Sequence, residues 1–280
     1  MSDPAAPPLR AITYLSPGIP LEFFQLVTAT VGRALGREIE LECDPRSSGP
    51  MHGAHDPFAG GQADLGFLCS PSYLYLRTLP TPSVELVPVG FVFRDPRNQG
   101  RPHYFSDVIV RADRGIASLD ELRGGVFGFN DTCSLSGYFA AHQELTERGQ
   151  TNGFFATERC TGSHAASIEA VLDGRVDLAA IDSNVLSLAF RARPGLRDEL
   201  RVVETWGPHP IQPLVMSTQR FATLGPALRD ALLQLFEDPE TGPALVELGL
   251  ERCVPIDDSL YDDERAALER LGELQPRCTG

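Results

Sequence analysis

Small hydroxyl side chains gather in one short segment, FNDTCSLSGYFA, which spans residues 129–140. Its pattern predicts an apolar strand that leads through Ser134 and Ser136 into a helix. The first backbone N–H groups of a helix, here those of Ser136, Gly137 and Tyr138, lack partners within the helix, and the hydroxyls add further donors. Such a turn can bind an anion, since each hydrogen bond to a charged ligand contributes about 1.5–3 kcal/mol. An ordinary helix cap is the competing interpretation.

A second polar cluster follows in TGSHAASIEAVLDGRVDLAAIDS, residues 161–183. Ser163 is placed to cap the next helix, and His164 falls in its first turn. Asp182 ends the strand after that helix, where it can either face a ligand or cap another helix. Each of these residues taken singly has an ordinary structural explanation, namely a solvated histidine or a cap.

Other chemistries have weaker support in the sequence. Ser134, His164 and Asp182 could form a nucleophilic set, but the GxSxG motif is absent, as is the GxxxxGK[ST] spacing of a nucleotide-binding loop. His52 and His55 could share a metal, but the glycines around them indicate a loop. We therefore predict neither a metal site nor a cofactor.

Composition limits the partners. The 280 residues include 24 Lys plus Arg and 38 Asp plus Glu, a net charge of −14, which argues against nucleic acid and anionic membranes. An anionic ligand must therefore be held by local geometry. No stretch is long and apolar enough to span a membrane, and MSDPAAPPLR lacks the features of a signal peptide. The chain is expected to be cytoplasmic, or periplasmic or at the cell surface if it is a mature form without its signal. Six cysteines form no CxxC pair; a Cys133–Cys160 disulfide and buried thiols both remain open.

Strand-like and helical patterns alternate from the first strand onward, which predicts α/β units with a mostly parallel sheet in each of two lobes. The polar segment RDPRNQGRPH interrupts this alternation and indicates a lobe boundary. We expect lobe one to contain residues 1–94 and 208–280 and lobe two residues 105–207, with hinge crossings near 94–105 and 205–212. From Phe221 to the end the pattern predicts helices. Four tyrosines stand at predicted element ends, where they could line a cleft or be buried: Tyr14, Tyr73, Tyr104 and Tyr138.

Together these features resemble the phosphonate-, phosphite- and phosphate-binding (PhnD-like) proteins of ABC importers. The resemblance covers roughly residues 12–250 and is most specific in two stretches, 104–140 and 162–183. The matching positions in the first are Tyr104, Ser134, Ser136, Gly137 and Tyr138, and those in the second are Gly162, Ser163, His164, Gly174 and Asp177.

The resemblance implies a two-lobed type II periplasmic-binding-protein fold that closes on a small oxyanion in an interlobe cleft by hinge motion. It implies that Ser134, Ser136 and the helix amides bind the oxyanion. Tyr104, His164 and Asp182 would complete this part of the pocket, while Tyr14, Ser70, Pro71 and Tyr73 would contribute from lobe one.

The expected partners are the ligand and an ABC permease or membrane sensor, with the protein itself a monomer. Leu135 stands where the family commonly has threonine, which favours a ligand with a carbon-bearing side. Two alternatives stay open at this point. One is a cytoplasmic enzyme of the same fold that acts on a chorismate-derived organic acid, and the other is a ligand-sensing domain.

Overall fold

The computed structural model describes residues 7–150 and 153–274. These residues form two compact units: the chain up to Pro102 together with the chain from Pro210 onward is unit 1, and His103–His209 is unit 2. The strands are β1 (Leu9–Thr13), β2 (Ile39–Cys43), β3 (Leu65–Phe67), β4 (Val84–Leu86), β5 (Val89–Phe93), β6 (His103–Arg111), β7 (Val126–Phe129), β8 (Thr157–Cys160), β9 (Leu178–Asp182), β10 (Leu200–Pro210), β11 (Leu214–Ser217) and β12 (Leu250–Pro255). The helices are α1 (Leu21–Leu35), α2 (Ser70–Thr78), α3 (Ala140–Glu147), α4 (His164–Leu172), α5 (Ser183–Ala192), α6 (Leu196–Glu199), α7 (Thr218–Leu233), α8 (Thr241–Glu247) and α9 (Asp262–Leu271).

Unit 1 contains a five-stranded sheet in the order β2-β1-β3-β11-β4. β1 runs parallel to β2 and β3, whereas β11 runs antiparallel to β3 and β4, so the sheet is mixed. Helix α1 packs its apolar face on this sheet, where the ring of Phe24 lies 5.0 Å from that of Phe67. The strand that makes the sheet mixed, β11, enters only after the chain has completed unit 2.

Unit 2 contains a second five-stranded sheet in the order β10-β6-β9-β7-β8. β7 is parallel to β8 and β9, and β6 is antiparallel to β9. An aromatic core covers the sheet, with Phe127 stacked on Phe155 at 4.7 Å and Trp206 buried beside them. The parallel strands β7 and β9 end close to the two polar clusters of the sequence.

The C-terminal part of unit 1 differs from the sequence prediction. The prediction of helices alone after Phe221 is wrong, because β12 lies between α8 and α9 and pairs antiparallel with β5. Only Leu250 in β12 is fully buried, so the strand lacks a clear hydrophobic alternation. Pairing with a distant strand therefore decided its conformation.

Several negative findings apply to the described residues alone. None of their helices has the length and apolar character needed to cross a bilayer. Cys133 and Cys160 are not joined in a disulfide.

The loop that contains His52 and His55 has structural contacts. His52 Nε2 lies 3.0 Å from a carboxylate oxygen of Glu273, and Asp56 accepts a hydrogen bond from the backbone N–H of Phe58.

Candidate functional site

Ser134 is the cap of a short π-helical turn, Leu135–Phe139, which continues into α3. Its Oγ accepts a hydrogen bond from the backbone N–H of Gly137 at 3.2 Å. The amide of Gly137, which the sequence predicted to be open, is therefore paired. The cap interpretation is confirmed. The Ser134 hydroxyl can still donate a hydrogen bond to a ligand, because a hydroxyl that accepts one bond keeps its own proton.

Position 137 requires glycine because a neighbouring side chain lies too close for a Cβ atom, and not because of its backbone dihedrals. A Cβ at this position would lie 1.7 Å from Oδ1 of Asn130 and 3.1 Å from Cε1 of His164. Asn130 is buried at the end of β7, and its Nδ2 donates to Asp131 at 2.8 Å. The missing side chain thus allows the Ser134 turn to lie against the end of the sheet.

Ser136 and His164 bring the two polar clusters together. Ser136 Oγ lies 3.3 Å from Nε2 of His164, and Ser163 caps α4 as predicted by accepting from Ala166 N–H at 3.1 Å. Desolvation lowers the pKa of His164 to about 4, so its ring is neutral at physiological pH. Nδ1 of His164 is buried and has no hydrogen-bond partner among the residues that the structure describes. When Nδ1 carries the proton, Nε2 accepts from Ser136, and Nδ1–H can donate to a ligand.

Strand β6 supports the same turn from the side. Ser106 Oγ donates to the backbone carbonyl of Ser136 at 2.6 Å. Tyr104, two residues earlier and hence on the same face of β6, is fully buried. β6 therefore positions both the turn and the predicted tyrosine.

Asp182 and Tyr138 have defined structural contacts. Asp182 Oδ1 caps α5 by accepting from the backbone N–H groups of Asn184 at 2.7 Å and Val185 at 3.3 Å. The ring of Tyr138 packs on the core, 4.9 Å from Phe129. At least one carboxylate oxygen of Asp182 is thus used within the fold, and the Tyr138 side chain contributes to packing.

The remaining predicted residues lie in unit 1. Tyr14 follows β1, and burial together with the negative charge of Asp44 raises the pKa of its phenol. Cys69 occupies the N-cap of α2, and Ser70 is the first residue of this helix and fully buried. Tyr73 donates its hydroxyl hydrogen bond to the carboxylate of Asp258. A ligand role for these three side chains stays a prediction.

Residues 14–261 match the family described as "ABC transporter, phosphonate, periplasmic substrate-binding protein". The chain belongs to this family. The match confirms the solute-binding interpretation and does not support the enzyme alternative, because the family consists of transporter binding proteins.

Solved structures of other binding proteins share the fold. The binding protein of an ABC phosphonate transporter from Pseudomonas aeruginosa has a TM-score of 0.78 at 18% identity, over 93% of this chain and 85% of that one. PhnD1 from Prochlorococcus marinus, solved with methylphosphonate, has a TM-score of 0.78 at 17% identity, over 95% and 98%. The aliphatic sulphonate binding protein SsuA from Escherichia coli has a TM-score of 0.63 at 12% identity, over 96% and 94%. The predicted two-lobed type II periplasmic-binding-protein fold is confirmed, with mixed sheets.

Sequence reasoning missed the residues that support the site in this family member. Asn130 and Ser106 lie within the stretch 104–140 but were not predicted as site residues, yet they contact Gly137 and Ser136. Ser106 could have been identified from the sequence, because it lies two residues after Tyr104 and therefore on the same face of the strand. Asn130 could not, apart from its position at a strand end, since its contact joins groups that only the folded chain brings together.

Proposed function

We propose that this protein binds a small phosphorus oxyanion of the phosphonate, phosphite or phosphate class at the Ser134 turn of unit 2. The observation that carries this proposal is the contact between Ser136 and His164 next to the capped turn. The hydroxyl of Ser134 and the Ser136–His164 pair provide donors without a lysine or arginine. A protein with a net charge of −14 must hold an anion by such local donors.

The donors supply part of the affinity that a binding protein needs. Hydrogen bonds to a charged ligand contribute about 1.5–3 kcal/mol each. Ser136 and His164 use one of their two protons in the hydrogen bond between them, so the pair has one donor left for a ligand. That donor and the hydroxyl of Ser134 could together supply roughly 3–6 kcal/mol before the costs of association. A micromolar complex needs about 8 kcal/mol. We therefore expect binding weaker than micromolar from these groups alone, with other contacts adding to it.

Selectivity rests on the ligand's proton. A monoprotonated phosphonate or phosphate has an O–H to donate, and a carboxylate such as Asp182 can only accept. Sulfate lacks that proton, so it would bring a negative oxygen against a buried carboxylate. Leu135, which is buried beside the two serines, favours a phosphonate whose phosphorus bears a carbon substituent over inorganic phosphate.

We assign the protein to the capture step of an ABC importer, with delivery to the membrane permease. This role places it in the periplasm or at the cell surface, as a monomer that does not bind nucleic acid. The family assignment supports the transporter role. The two-unit division supports a protein that can change conformation on binding.

Isothermal titration calorimetry with methylphosphonate, phosphite, phosphate and sulfate tests the proposal. We expect methylphosphonate to bind most tightly and sulfate to give no measurable heat. Absence of binding to all three phosphorus oxyanions would overturn the ligand class. Equal affinity for sulfate and methylphosphonate would contradict the role of Asp182 while leaving an anion site.

A further inference from the structure

Strand β10 places the imidazole of His209 beside Tyr104 on the neighbouring strand β6. The two ring centres are 5.6 Å apart, with their planes tilted by 54°. Gly207 shapes this approach, because its φ is +115°, and a Cβ there would lie 3.0 Å from the backbone nitrogen of His209 and 3.3 Å from the carbonyl oxygen of Tyr104. The backbone before His209 therefore has a conformation that favours glycine and brings the two rings together.

His209 lies next to the face of the sheet that supports the proposed site. Tyr104 and Ser106 project from the same face of β6 because they are two residues apart. Ser106 donates to the carbonyl of Ser136, so this face leads directly to the serine turn. The contact with Tyr104 extends the same face to His209.

The imidazole has a buried polar atom that the protein does not satisfy. Nε2 of His209 is inaccessible to solvent and has no hydrogen-bond partner within the described ranges. A buried polar group without a partner destabilises the folded state, so such an atom requires a specific explanation. Desolvation lowers the pKa of His209 to about 4, which keeps the ring neutral at physiological pH.

We propose that His209 is an additional ligand contact whose Nε2–H donates a hydrogen bond to an oxygen of the bound oxyanion. This inference rests on the function proposed above, and it names a residue that the sequence motifs did not include. A neutral donor can satisfy an oxyanion oxygen without adding a fixed charge. Tyr104 then has a second role, because its ring fixes the orientation of the imidazole.

The test compares three variants by calorimetry with methylphosphonate. His209→Phe keeps a ring against Tyr104 but removes the nitrogen, and we expect affinity to fall about tenfold while the melting temperature stays near that of the wild type. His209→Gln supplies an amide donor and should recover part of the loss. His142→Phe is the matched control, because the ring of His142 is also tilted against a tyrosine of unit 2, Tyr138, with 4.4 Å between the ring centres. It should bind as the wild type does.

The outcomes separate this inference from the function on which it rests. If the wild type binds no phosphorus oxyanion, the proposed function fails first. If the wild type binds and His209→Phe retains its affinity within twofold, the role of His209 is wrong and the function stands. If His209→Phe and His209→Gln lose affinity and thermal stability equally, His209 acts only in packing, which also overturns the inference.

Discussion

Ser136 Oγ lies 3.3 Å from Nε2 of His164, and the two residues are 28 positions apart in the chain. This contact joins the turn after β7 to the first turn of α4. Each of these two helix starts alone has an ordinary structural explanation. Because they are in contact, they form one group of hydrogen-bond donors. The first two predictions concern this group and the glycine that lets it form.

Removal of either hydroxyl should weaken binding. Ser134→Ala and Ser136→Ala should each reduce methylphosphonate affinity by about 10- to 100-fold, because a hydrogen bond to a charged ligand contributes about 1.5–3 kcal/mol. Calorimetric titration measures the change. Ser118→Ala is the matched control, since Ser118 bonds to Glu121 in another loop of unit 2. Unchanged affinity in both variants would show that the serines act only as structural groups.

A methyl group at position 137 should disturb the turn. Gly137→Ala must displace the side chain of Asn130, with an overpacking cost of roughly 1–3 kcal/mol in the free energy of unfolding. Methylphosphonate binding should fall with it. Gly195→Ala is the control, because a Cβ there meets only a carboxylate oxygen of Glu199 at 4.0 Å. Urea unfolding of both variants gives the comparison, and equal stability would argue against the close approach.

His164 should make the protein less stable in acid. Its folded-state pKa of about 4 lies below the usual 6.5, so the unfolded chain takes up the proton first. The free energy of unfolding should therefore fall as pH decreases from about 6.5 towards 4, by roughly 1–3 kcal/mol for this partly exposed ring.

Urea unfolding at pH 7 and pH 5 measures this contribution. His164→Asn should lose less stability than the wild type over that interval. The exposed His55, replaced in His55→Asn, provides the control and should behave as the wild type. An identical pH dependence in His164→Asn would mean that His164 is protonated equally in both states.

Glu264 should have the opposite effect in unit 1. This residue of α9 is 6% exposed, and its carboxyl group lies next to the hydroxyl of Ser70. Burial raises its pKa to about 8, so the folded state keeps the proton while the unfolded state has already lost it. The free energy of unfolding should fall as pH rises from about 4.5 towards 8, by several kcal/mol at about 1.4 kcal/mol per pKa unit.

Glu264→Gln removes this ionisation with little change in shape. We expect the variant to gain stability relative to the wild type on going from pH 5 to pH 8, as measured by urea unfolding. Glu269→Gln replaces an exposed carboxylate on the same helix and should show no such gain. A constant difference between Glu264→Gln and the wild type at both pH values would disprove the buried ionisation.

Features that depend only on neighbouring residues could be predicted from the sequence. The cap at Ser163 and the serine start before α3 follow from the side chains next to each helix. The alternation of strands and helices follows from hydrophobic periodicity, which is also a local property. These features were enough to predict the α/β class and the serine cap of the helix, whereas the type II fold and the ligand role of the serines came from the resemblance to the family.

Contacts between distant segments could be seen only in the folded structure. It placed Asn130 against Gly137, Ser106 on the carbonyl of Ser136, and His209 beside Tyr104. It also made β12 a strand, because β5 was there to pair with it. The physical reason is common to all four: each depends on a partner that chain folding supplies, and no rule of spacing along the sequence contains that partner.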